Sequence, residues 1–217
     1  MIRVTLPTAP ANYEVDVSRP GEAFLRAVPT PTPAQWNQHR YWNLIHDDLY
    51  RGLRGICNYC ASWSPRRSAG DDHTSIDHFI PKSRAPRLAY SWKNFRLCRE
   101  RLNNRKKHHS DIVDPCGIRD GVYVIDFDTF QIKPLYSLPQ QVARKIRDTI
   151  DRLELNTDRD YVNERMRIVR AYSLDEVTMN YVKDRYPFIA QQMSIQDFDV
   201  QFKERWRSFF RGRNIRP

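Results

Sequence analysis

The apolar positions Trp42, Ile45, Leu49 and Leu53 recur every three or four residues, which predicts a helix with one buried face. Thr32-Pro33-Ala34-Gln35 predicts its start: Thr32 caps, Pro33 suits the first turn and Gln35 completes a capping box. Gly55 predicts its end as a C-cap residue. Trp36, Tyr41 and Trp42 then belong to a core rather than to a platform for stacking bases. Residues 1–31 carry five prolines and no helical period. They predict an extended arm, with at most a short strand or turn, that wraps the domain or docks a partner.

After Gly55 the period changes. "ICNYC" (56–60) predicts a tight knuckle and residues 64–73 a polar loop. "TSIDHF" (74–79) reads as a short strand, and "NFRLC" (94–98) alternates as a second one. "RERLNNRKKHH" (99–109) is polar and compatible with a helix. "GVYVIDF" and "FQIKPL" predict a hairpin around Asp128-Thr129. The remainder is helical: a capping box at Ser137–Gln140 before Val142, Ile146, Ile150 and Leu153, a long helix over about 158–185, and a last helix carrying Phe198, Phe202, Trp206 and Phe210. The expected class is α+β. Its parts are an arm (1–31), a core with its preceding helix (32–118), and a hairpin plus largely helical region (119–217).

Charge adds a partner class. The net charge is +10, and residues 82–107 hold ten Lys or Arg against one acid, Glu100. A solvated face normally mixes its signs, so this window predicts a polyanionic partner, nucleic acid first. The tail "RWRSFFRGRNIRP" could add contacts. No apolar run reaches the roughly 18 residues of a membrane span, and "MIRVTLPTAP" lacks a signal-peptide apolar core, so the expected setting is cytoplasmic. Of the four cysteines only Cys57 and Cys60 have metal-ligand spacing, and a disulfide framework does not suit that setting.

The candidate chemistry lies in "SIDHFIPKS" (75–83). Asp77 and His78 stand side by side among Ile76, Phe79 and Ile80. Such a pair is either a hydrogen-bonded prop for the fold or a catalytic centre. Imidazole titrates near neutral pH and can take a proton from water.

In order along the chain stand Cys57-x-x-Cys60, Asp77-His78-x-x-Pro81, Asn94 and Asn103-x-x-Lys106. Over about residues 56–109 this series resembles the HNH endonuclease family. Its shared ββα-metal motif is a two-stranded hairpin crossed by a helix, with one divalent ion between them. The resemblance implies an endonuclease that hydrolyses phosphodiester bonds in DNA, or in RNA as the second candidate, with Mg²⁺ or Mn²⁺ as cofactor. His78 is then the general base and Asp77 a metal ligand. Asn94 pins the loop that aims the histidine, and Asn103 is the second metal ligand, with Asn104 as its neighbour and alternative. Lys106 faces a phosphate, and Lys82, Arg84, Arg99, Arg105 and Lys107 complete a nucleic-acid track. His108 and His109 are surface residues or phosphate contacts, and His73 has no role.

The sequence departs from the family at one point. Many members carry a second CxxC before the final Asn and so form a four-cysteine zinc site. Here Arg99 and Leu102 hold those two positions and Cys98 is one place off. Cys57 and Cys60 are either a relic that shapes the knuckle or half of a Zn²⁺ site that recruits Cys98 or a histidine. "AYSWKNFRL" and "DIVDPCGI" also resemble the HNH subunits of Septu-type and retron-associated antiphage systems. Their partners are ATPases, which would make the arm a docking element. The rival reading from another class is a catalytically silent nucleic-acid-binding subunit of such a complex.

Overall fold

The computed structural model describes residues 1–66, 73–196 and 200–212, the side chains of 200–202 and 212 excepted. The chain divides into two compact units: Arg3–Tyr59 with Trp63–Ile118, and Met1–Ile2 with Cys60–Ser62 and Arg119–Pro217. The class is α+β, with two small antiparallel sheets and otherwise mostly helix.

The N-terminal unit opens differently from the expected extended arm. A π-helical turn, Glu14–Ser18, runs straight into α1, Arg19–Ala27. Val17, Gly21 and Phe24 fall on one buried face, the spacing that the prolines obscured. Pro20 falls at the join of the π-turn and α1, where its missing N–H interrupts the ladder between the two segments. Gly21 is needed for close approach: a Cβ there would lie 2.2 Å from the Tyr90 ring. The segment is also tied down by polar bonds. The Tyr13 hydroxyl donates to Tyr90 O and accepts from Trp92 N, and Trp92 Nε1 donates to Pro7 O at 2.8 Å. These residues belong to the unit's own core.

The expected single helix over 32–55 is three pieces: α2 (Pro33–Gln38), a 3₁₀ turn (Tyr41–Ile45) and α3 (His46–Gly52). The Thr32/Gln35 capping box forms. The break lies at His39, whose ring stacks on Phe24 with centroids 3.8 Å apart. Trp36, Trp42, Ile45 and Leu49 are buried with Val17, Phe24, Tyr90, Phe95 and Leu97 in one cluster. Gly55 adopts φ +71° three residues beyond the helix end.

β1 (Thr74–His78) pairs antiparallel with β2 (Phe95–Arg99), with Asp77 opposite Arg96 and His78 opposite Phe95. α4 (Glu100–Lys106) follows at once and packs on both strands. Arg96 grips Asp114 through Nε and Nη2 at 2.7–3.0 Å, which anchors the chain after α4.

The second unit has β3 (Tyr123–Asp126) paired with β4 (Gln131–Pro134). The Asp126 carboxylate accepts from Asp128 N and Thr129 N and so closes the turn. α5 spans Gln140–Arg152 without a side-chain cap. The expected Ser137 box fails because Leu138 precedes a proline and is pushed out of helical geometry. The expected long helix is α6 (Arg159–Ser173) and α7 (Met179–Arg185), separated at Asp175, with φ 60°, and restarted by the Thr178 cap. α8 (Pro187–Ile195) and α9 (Val200–Gly212) follow. Buried Arg165 donates to Phe130 O and Leu155 O, at 2.6 and 2.8 Å, and fastens the hairpin turn to the helices. Phe198, the Phe202 side chain and residues 213–217 lie outside the described part, as do residues 67–72 of the polar loop.

Candidate active site

Two periodicities assemble the site. Odd positions of β1 share a face, and positions three apart on α4 share a face. Ser75 therefore meets Asn103, whose Nδ2 donates to its Oγ at 3.0 Å, and Asp77 meets Lys106, whose Nζ lies 3.0 Å from Oδ1. The even positions Ile76 and His78 face the other way. The His78 ring meets Trp42 edge to face at 4.7 Å and Phe95 at 5.4 Å.

His78 is 5 % exposed. Its Nε2 lies 2.8 Å from Ala89 O. A carbonyl can only accept, so Nε2 carries the proton and Nδ1 keeps its lone pair. Burial first, then the charges of Lys82 and Lys106, hold the imidazolium well below its ordinary range, so the ring is neutral. Asn94 fixes this arrangement from behind. Its Oδ1 accepts from Ile80 N at 2.8 Å, and its Nδ2 donates to Ile80 O and Leu88 O at 3.0 and 3.1 Å. Leu88 precedes the very carbonyl that orients His78. Asn94 is therefore a positioning residue.

The Asp77 side chain is 4 % exposed. Oδ1 receives Lys106, and Oδ2 accepts from Tyr59 OH at 2.6 Å. Burial and the Asp77 charge hold the Tyr59 phenol well above its usual range, so it stays a donor. Lys106 also donates to His78 O at 2.8 Å and is fully buried. The expectation that Lys106 faces a phosphate is corrected: its ammonium is committed to the carboxylate and carbonyl of the site itself. Arg99 is corrected likewise. It is 7 % exposed and donates through Nη2 to Trp63 O at 2.8 Å. Buried cations need partners, and the basic window holds three such residues, Arg96, Arg99 and Lys106.

Asp77, His78 and Asn103 open onto one cleft of ≈ 810 Å³, together with Lys82 and Lys107. Its opposite wall is the Thr30–Asn37 stretch, with Pro31, Pro33 and Trp36. Lys82 is half-buried, its Nζ 4.5 Å from the Trp42 ring centre, and burial pushes its ammonium down to about 8. Arg84 and Lys107 are exposed, Arg105 is half-buried, and Arg84 donates to Ser110 Oγ. Of these three, Lys107 lines the cleft, and Arg84 lines a separate hollow with Phe79, Ile80 and Ser110.

The donor set suits a hard divalent cation. Asp77 offers carboxylate oxygens with lone pairs beyond those used by Lys106 and Tyr59. Asn103 spends its amide nitrogen on Ser75, which leaves its carbonyl oxygen without a hydrogen bond among the described residues. Two oxygen ligands are enough for an ion that keeps several waters and takes the rest from substrate. Asn104 is exposed on the cleft rim.

Cys57 is buried, and its sulfur accepts from Arg99 N at 3.4 Å. Cys60 belongs to the other unit, with its sulfur 3.1 Å from Ser62 Oγ. Cys98 is buried, its thiol 3.9 Å from Ser75 Oγ and held well above its usual range by burial. Among the described residues no three His, Cys, Asp or Glu side chains gather as a metal cluster. His73 is half-buried beside β1, and His108 and His109 follow α4.

Tyr59, Ser75 and Trp42 escaped the sequence reading as site residues. The face-sharing rule could have found Ser75. Tyr59 carries no signal beyond its place between the two cysteines. No protein-family model matches the chain, and no curated protein matches its sequence.

Proposed function

We propose that the chain is a metal-dependent endonuclease of the HNH class that hydrolyses phosphodiester bonds in DNA, with RNA as the second candidate polymer. One observation carries this reading. A neutral, carbonyl-oriented imidazole shares a cleft with a carboxylate and an amide oxygen, in a strand–strand–helix unit. His78 Nδ1 takes the proton of the attacking water. Ala89 O and Asn94 hold the ring so that no reorientation is needed at that moment. Lys106 and Tyr59 fix the Asp77 carboxylate, and Ser75 fixes the Asn103 amide with its oxygen free. A divalent ion bound by Asp77 and Asn103 would polarise the phosphate and stabilise the leaving oxygen. Arg84, Arg105 and Lys107 supply backbone affinity through counterion release. No helix among the described residues is long and apolar enough to cross a membrane. The resemblance stated above makes an ATPase the expected partner and antiphage defence the expected setting, which co-purification from the native host would test.

A second reading has its own observation. Both Asp77 oxygens already have partners, as in a purely structural ion pair. On that reading the chain binds nucleic acid and does not cut it. Incubation of the purified chain with plasmid and with total RNA, with and without Mg²⁺ or Mn²⁺, separates the two. The nuclease reading expects metal-dependent cleavage that falls by roughly 10²–10⁴ in His78→Ala, with binding in chelator unchanged. Cleavage by His78→Ala at the wild-type rate would refute it.

A further inference from the structure

Lys82 is one of three half-buried cations of the basic window, with Arg101 and Arg105. Arg84, Arg87, Lys93 and Lys107 are exposed, and Arg96, Arg99 and Lys106 are buried against acceptors. Lys82 is drawn into the cleft, yet among the described residues its ammonium has neither an ion pair nor a hydrogen bond. What it has is aromatic support: Nζ lies 4.5 Å from the Trp42 ring centre and 5.9 Å from that of Trp36. The rings steady the charge from one side and leave its donors for something else. The backbone here is held by a turn, with Arg84 N and Ala85 N both bonded to Pro81 O at 2.9 and 3.0 Å.

Trp42 is also the wall of His78, at 4.7 Å. The ammonium and the imidazole are therefore no further apart than those two ring distances combined. The Asp77 carboxylate steadies this half-desolvated charge only from a distance, and a ligand oxygen in direct contact would supply what burial removes. A ligand that reaches His78 Nδ1 and the Asp77 side of the cleft passes within reach of Lys82.

We propose that Lys82 is a catalytic residue: its ammonium, seated on Trp42 beside His78, binds a non-bridging oxygen of the phosphate that is cleaved, not a flanking phosphate. This rests on the nuclease reading. The charge that builds on that phosphate as water attacks is then met by a cation already in place. No bond to Lys82 forms or breaks.

The test compares Lys82→Met and Lys82→Arg with wild type at saturating Mn²⁺, on duplex DNA and on bis(p-nitrophenyl) phosphate, a diester with no flanking phosphates. Loss of one preorganised donor costs roughly 10²-fold or more in kcat. Lys82→Met should lose about that factor on both substrates, and Lys82→Arg should recover part of it. A flanking-phosphate role predicts instead a raised KM on DNA and no change on the small diester, which would overturn the proposal. Wild-type turnover matched by Lys82→Met would overturn it alone. Absence of hydrolysis of either substrate by wild type, with any divalent ion tried, would overturn the nuclease reading and this proposal together.

Discussion

Lys82→Met should make the protein more stable at neutral pH, and the gain should vanish in alkali. Burial holds the Lys82 ammonium at about 8 against 10.5 in the unfolded chain. Every tenfold loss of proton affinity on folding is worth about 1.4 kcal/mol, so the folded state bears roughly 3 kcal/mol for keeping this charge below pH 8. Methionine fills much the same volume without the charge, so the gain at neutral pH should be of that order, up to about 3 kcal/mol. The sign follows from proton uptake: between pH 8 and 10.5 the unfolded chain binds more protons than the folded one, so wild-type stability rises with pH across that window. Below pH 8 the penalty is complete, and above 10.5 it is gone. Urea unfolding followed by tryptophan fluorescence suits the test, since Trp36, Trp42, Trp63 and Trp92 all lie in the unit concerned. Lys82→Met should have the higher midpoint at pH 7, and the gap should shrink from pH 8 upward and close only above about pH 10.5. A variant less stable than wild type at pH 7, or a gap that does not change with pH, would refute the reasoning. Stability gained with turnover lost is the usual mark of a strained functional group.

Other perturbations discriminate among the remaining assignments. Lys106→Met strands the Asp77 carboxylate with only Tyr59 and should cost about 3–5 kcal/mol, read in the same urea assay; a phosphate-facing Lys106 would cost almost nothing. Phe24→Ala should cost about 3–5 kcal/mol as a core truncation, and an unchanged midpoint would return the N-terminal segment to the role of a detached arm. Asn94→Ala should lower kcat while nucleic-acid binding in chelator holds, and an equal fall in both would show that Asn94 supports the fold at large. Mn²⁺ titrated into His78→Ala by calorimetry should bind more tightly with an oligonucleotide present than without, and equal affinities would show that the cations around Asp77 do not repel the ion.

What the sequence made legible was local. β1, β2 and α4 follow from alternation and from the polar run after Cys98, and the hairpin follows from its turn residues. Trp42 was readable as core from its period with Ile45 and Leu49, although that stretch is a 3₁₀ turn followed by α3 rather than one helix. The errors are non-local. Five prolines hid the Val17–Gly21–Phe24 face, because a sequence does not show that Pro20 falls at the join of the π-turn and α1. In the sequence Lys106 and Arg99 read as phosphate-facing charges, because a sequence shows a cation without its acceptor. The acceptors are 29 and 36 residues away in the chain, and only the packing of α4 on β1 and of the knuckle on β2 brings them near. The tight spacing of the basic window was thus a poor guide to exposure, since strand and helix periods deal neighbouring cations to opposite sides.

That division of cations decides how the site can hold a metal. Among the described residues Asp77 is the one carboxylate lining the cleft, and Lys106 already lies 3.0 Å from it. A divalent ion bound to the same Oδ1 at the usual oxygen distance of about 2.1 Å would sit no more than about 5 Å from that ammonium. At an effective dielectric of about 20 the repulsion is roughly 6–7 kcal/mol, which offsets part of the attraction of the carboxylate. On the nuclease reading the free protein should therefore bind such an ion more weakly than the same carboxylate would without Lys106. A phosphodiester in the cleft reverses the balance, because each phosphate brings a negative charge within reach of Lys82, Lys107 and the ion together. Metal and nucleic acid must then strengthen each other's binding by the same factor. On that reading Lys106 orients the carboxylate and, by the same contact, weakens the hold of the empty cleft on the ion.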